Sequence, residues 1–179
     1  GWLWVRLGIR TFWRQPLALM GLSLMFVMAA SLLALLPVVG ALLIFVLTPG
    51  IWAGMLQAAR SAHQGHFPMP NTLVAAFRGS REHVKHMFGL GGLYTLALVV
   101  TVLLTIVVFV VTNGDLDIVH NAANLTVEQL EKANIELGVL TYTVLFSSVA
   151  LVFAQAAGLS HWHGVAPVKS LFFSFMACW

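Results

Sequence analysis

Charge is what this sequence has least of. Only 8% of its 179 residues are Asp, Glu, Lys or Arg, against about 25% in a typical soluble domain. So few charges cannot coat a surface in contact with water, and 60% of the residues are hydrophobic. The chain therefore reads as an integral membrane protein. Cysteine is nearly absent as well. Cys178 stands alone, so no disulfide forms within the chain and no thiolate cluster is available for a metal. No HExxH motif, phosphate-cradling glycine loop or nucleophile–base pattern occurs. The stretch GLGG at 89–92 opens an apolar run and reads as a site of close packing. The expectation is a non-enzyme without a cofactor. Nucleic acid is not an expected partner either, because the net charge of +3 reflects a bias to one membrane face and not a groove-tracking basic patch.

The gaps between charges locate the helices. No Asp, Glu, Lys or Arg lies between Arg14 and Arg60, between His86 and Gly114, or between Leu137 and Val168. A membrane-crossing helix needs about 20 mainly apolar residues, so the second and third gaps hold one helix each. The first gap is too long for one helix. Pro37 and Gly40 divide it, since both residues interrupt helices. The expected fold class is all-α: an integral membrane bundle of four transmembrane helices, at about 17–36, 41–59, 88–111 and 139–159. Residues 1–179 read as a single transmembrane helical domain.

Topology follows from the basic residues. Arg6, Arg10, Arg14, Arg60, Arg78, Arg81, Lys85 and Lys169 fall on one side of the four spans, and Lys132 alone falls on the other. The positive-inside rule then puts both ends of this chain in the cytoplasm of a bacterial inner membrane and the 113–137 loop in the periplasm. The first 16 residues form an expected interfacial amphipathic helix. Trp2, Trp4, Val5, Ile9, Phe12 and Trp13 suit the headgroup level, while Arg6, Arg10 and Arg14 recur every fourth residue and so share a face. They are the candidate contacts to the head groups of anionic lipids, each contributing about 1 kcal/mol near such a leaflet.

The loop on the basic side holds FPMPN at 67–71, a turn signal. Asn71 is a candidate cap for a short helix through Phe77, and Ser80 for the helix leading into the third span. In the opposite loop, Thr126 and Gln129 fit a capping box for a helix at about 127–136, and Asn124 begins an NLT sequon. The final PVKSLFFSFMACW repeats the opening pattern, a basic residue and then aromatics ahead of a membrane crossing. The repeat suggests that these residues are a portion of a longer six-helix protein.

Three stretches, GWLWVRLGIRTFWRQP, TPGIWAG and PVKSLFFSFMACW, resemble an uncharacterised family of multi-pass inner-membrane proteins of Gram-negative bacteria. The resemblance covers most of the chain outside the 113–137 loop. It implies two further spans beyond Trp179 and carries no known activity.

Three sets of residues are candidates for function. Pro49 lacks the N–H that would bond the Phe45 carbonyl, so Thr48, Pro49 and Gly50 form a candidate broken-helix substrate or ion site of the kind transporters use. Gly50 and Gly54 are spaced for close helix packing. Six of the seven histidines lie on the basic side, and His83, His86, His161 and His163 flank spans three and four as a candidate metal or haem site. The spans themselves hold no Asp, Glu, Lys or Arg, against a proton- or voltage-driven mechanism. Their hydroxyl residues can bond helix carbonyls locally, which leaves Gln57 and Gln155 as candidate links between helices. The leading expectation is a non-catalytic structural or accessory role, through helix contacts with a second copy or a membrane-protein partner. Transport through the broken helix, and then the histidine site, are the alternatives.

Overall fold

A computed structural model describes residues 2–78, 80–113 and 135–178. Six α-helices follow one another in these residues: α1 (Trp2–Arg14), α2 (Pro16–Ala34), α3 (Val39–His63), α4 (Arg81–Asn113), α5 (Ile135–His163) and α6 (Pro167–Cys178), with a 3-10 helix, Pro70–Phe77, between α3 and α4. No strand occurs among the described residues. Helices α2 to α5 are each long and apolar enough to cross a membrane. The capping box at Thr126, the Asn124 sequon and most of the expected 127–136 helix lie outside the described residues; residues 135 and 136 open α5.

Local chemistry sets the boundaries. Gln15 precedes a proline, which disfavours helical backbone, and it adopts φ −145°. Pro16 then opens α2, a position where its missing N–H costs nothing. Between α2 and α3, Pro37 cannot extend α2, and Val38 takes a positive φ of 62°, which is strained for a β-branched residue. Gly40 completes the turn by lying against the Leu33 carbonyl, where a Cβ would overlap backbone. Helices α3, α4 and α5 run beyond the apolar cores of the expected spans. Charge gaps mark hydrocarbon, whereas helices continue into their polar end turns. Helix α4 starts seven residues ahead of the expected 88, where Ser80 Oγ accepts the His83 N–H at 3.3 Å.

The described residues divide into two compact units, residues 1–95 with 152–179, and residues 96–151. In the first, Leu19, Leu22, Ala58 and Ala62 form a core against which Met55 and Leu73 pack. Trp52 of α3, Tyr94 of α4 and Phe153 of α5 meet edge to face, with ring centroids 5.3 Å apart at both contacts. In the second unit, Gly138 of α5 faces the Phe109 ring of α4, and Leu98 and Thr101 are buried. Large apolar side chains point outward. Leu24, Met28 and Leu32 of α2 are 63, 66 and 66% exposed, a surface that hydrocarbon, not water, accommodates. Several span hydroxyls bond one turn back, as their local chemistry allows: Ser31 to the Val27 carbonyl, Thr101 to that of Ala97, Thr105 to that of Thr101 and Thr143 to that of Val139.

Helix α6 returns alongside α5. Gly164, with φ +62°, makes the turn, and Pro167 rests on Gly89. The buried Ser174 then donates to the Val152 carbonyl at 2.6 Å, eleven residues before the end of α5. Phe172, Phe173 and Phe175 face outward. Ser174→Ala removes one buried hydrogen bond and is expected to cost about 1 kcal/mol. Ser174→Leu also forces bulk into a filled site and should cost about 1–3 kcal/mol more. Thermal unfolding of the two variants in one detergent checks the order.

Candidate functional site

Pro49 falls in the middle of α3, where the sequence offers a candidate broken-helix site. Helix α3 runs unbroken through Pro49. Thr48 Oγ1 donates to the Ile44 carbonyl at 2.7 Å, beside the Phe45 carbonyl that Pro49 cannot reach. Thr48, Pro49 and Gly50 are all buried. What buries them is the chain's own 3-10 helix. Phe77 lies over Gly50 so closely that a Cβ there would overlap its ring. Four residues on, Gly54 faces backbone: a Cβ would stand 2.5 Å from the Leu73 carbonyl oxygen and 2.7 Å from that of Thr72. The Gly50–Gly54 pair thus serves close packing, with a 3-10 segment of the same chain as its partner.

This packing also changes the reading of the loop. Charge alone puts Arg60 to Lys85 at the membrane surface. Gly50 lies thirteen residues before the end of α3, about 20 Å along its axis, so Phe77 reaches the middle of that helix. Phe77 further meets Phe88 of α4, ring centroids 5.6 Å apart, and Pro68 is fully buried. A short 3-10 segment with its flanking turns is tolerated at such depth only against protein, and the glycine face of α3 supplies that protein. One signal in the sequence points here: the stretch from Phe67 to Phe77 is rich in apolar residues, Leu73, Val74 and Phe77 among them.

Of the four candidate histidine ligands, the structure pairs two. His83 Nε2 and His161 Nδ1 are 3.2 Å apart, with ring centroids separated by 5.2 Å. One ring donates and the other accepts, and the tautomers set which does which. His86 sits one turn along α4 and His163 is exposed at the end of α5. Among the described residues no three His, Cys, Asp or Glu side chains converge, so the four-imidazole set is a hydrogen-bonded pair here. His63 is used differently: its Nδ1 meets Thr11 Oγ1 at 3.2 Å.

The N-terminal arginines divide in role. Arg14 donates to the His63 carbonyl, at the end of α3 where helix carbonyls lack partners. Arg6 and Arg10 are exposed. Gln57 does link helices, accepting the Trp162 indole N–H at 3.2 Å, and Arg60 lies 5.9 Å from the Trp162 ring centroid. The links from α1 to His63, and from Trp162 to Arg60, join residues far apart in sequence, and no local pattern announces them.

Comparison with known proteins agrees with a membrane fold. The chain is 34% identical over 180 residues to a protein of Burkholderia thailandensis named a probable inner membrane protein, covering 100% of this chain and 67% of that one. No family model matches, and no solved structure matches. The unbroken apolar helices, their outward-facing leucines and this full-length likeness together identify the chain: it belongs to the family of multi-pass inner-membrane proteins that includes the Burkholderia thailandensis protein.

Proposed function

We propose that this chain is a non-catalytic structural or accessory component of the inner membrane, acting through helix contacts with a second copy or with another membrane protein. One observation carries the reading. The residues suited to a midplane substrate site, Thr48, Pro49 and Gly50, are buried in packing against the 3-10 helix. Side chains committed in this way are engaged in packing within the chain. Outward faces such as that of Leu24, Met28 and Leu32 offer hydrocarbon-compatible area to a partner helix. In this reading both ends of the chain face the cytoplasm and the 113–137 loop the periplasm, as the basic residues direct.

The test uses the protein in its native membrane. Cysteine cross-linking from Met28→Cys, in a Cys178→Ser background, should capture either a second copy or a defined membrane partner. Purified protein in liposomes should pass no solute, and metal analysis should find no stoichiometric Zn, Cu, Ni or Fe. A strictly monomeric protein that captures nothing overturns the proposal. So does a solute flux that Pro49→Ala abolishes.

A further inference from the structure

A groove of about 650 Å³ runs beneath α1. Helix α1 roofs it with Gly8 and Phe12, α2 walls it with Met20, Leu24 and Val27, and α3 contributes Met55. The roof is fixed in place by Thr11 and Arg14, which both bond His63 at the end of α3. From Met20 to Val27 the wall descends seven residues, about 10 Å at the α-helical rise. A single leaflet offers about 15 Å of hydrocarbon, so the groove spans most of one.

The lining fixes the chemistry of the occupant. Only two hydroxyls border the groove, and both are engaged: Ser23 with the Leu19 carbonyl at 3.0 Å, Thr11 with His63. A polar ligand would leave its own groups unpaired there, whereas a hydrocarbon chain would lose nothing. Charge supplies the other half of the argument. The roof helix carries Arg6, Arg10 and Arg14 and no acid, and Arg6 and Arg10 are exposed at the level where lipid phosphates lie. We infer that the groove is an acyl-chain slot for an anionic phospholipid of the leaflet that carries α1, with the phosphate at the level of Arg6 and Arg10. The inference rests on the groove and its roof and is independent of the accessory role.

Gly8 provides a clean test, because a Cβ built on it meets nothing within 4 Å. Gly8→Ala therefore enters open space, and Gly8→Leu fills more of the slot; thermal unfolding of both variants checks that the fold is kept. The full chain is incubated with phosphatidylglycerol, with phosphatidylcholine or with a free fatty acid of the same chain length. Retained molecules are counted by native mass spectrometry. Wild type should keep one phosphatidylglycerol in preference to the other two. Gly8→Leu should weaken retention by about tenfold or more, the effect of losing two buried methylenes, and Gly8→Ala by less. The double variant Arg6→Ala with Arg10→Ala should keep a lipid but no longer prefer phosphatidylglycerol. Equal retention by wild type and Gly8→Leu overturns the proposal, as does a wild type that prefers the fatty acid or phosphatidylcholine, or keeps no lipid.

Discussion

Gly54→Ala is expected to release the 3-10 helix from α3. The new methyl would stand 2.5 Å from the Leu73 carbonyl oxygen and 2.7 Å from that of Thr72. Both are backbone atoms, so no side-chain rotation relieves the overlap, and the segment has to move as a body. Overpacking of this kind costs about 1–3 kcal/mol. Leu73 would then leave the core it shares with Leu19, Leu22, Ala58 and Ala62. A thiol placed by Leu73→Cys, in a Cys178→Ser background, reports the change through a membrane-impermeant maleimide. Labelling should be slow with Gly54 present and faster by tenfold or more with alanine there, since about 1.4 kcal/mol is a factor of ten in an opening equilibrium. Equal labelling in both backgrounds would show that the segment is not seated on Gly54. At Gly50 the obstacle is the Phe77 ring, which can swing aside, so Gly50→Ala should have the smaller effect.

The second large effect is a contrast between adjacent glycines. In GLGG, Gly91 lies against the backbone of Val46, whose carbonyl a Cβ would overlap, whereas a Cβ on Gly92 meets nothing within 4 Å. Gly91→Ala should therefore push α4 off α3 and lower stability by about 1–3 kcal/mol. Gly92→Ala relieves a mid-helix glycine and should raise stability by about 0.5–1 kcal/mol. Thermal unfolding gives the sign of each. The contact between Trp52 and Tyr94 adds a local reading, because Gly91→Ala should shift the emission of Trp52, with Trp52→Phe as the control that removes it. Destabilisation by both variants, or by neither, would show that α3 and α4 do not approach at Gly91.

These glycines also mark how far the sequence could be read. GLGG and the Gly50–Gly54 spacing both signal close packing. Neither says what is packed, and the partners turn out to be the Val46 backbone and the 3-10 helix. The break between α2 and α3 was legible because Pro37 and Gly40 act through their own backbone. At Pro49 the helix continues, because a helix can carry a proline when neighbours cover it, and the covering Phe77 lies 28 residues further along the chain. The histidines show the same limit. Spacing groups four of them at the ends of two spans, and of these four His83 and His161 meet, because the rotation of α4 against α5 selects which faces come together.

By itself the sequence determined that this chain lives in hydrocarbon, where its long helices fall and which turns separate them. Those properties follow from transfer free energy and backbone chemistry, both of which act residue by residue along the chain. Only the tertiary structure decided that the loop after α3 folds back against the middle of that helix, and that α1 closes a groove by holding His63. Such contacts depend on the rotation and relative height of segments distant in the chain, and apolar residues that are alike in hydropathy leave those undefined until side-chain shape and backbone approach choose among them.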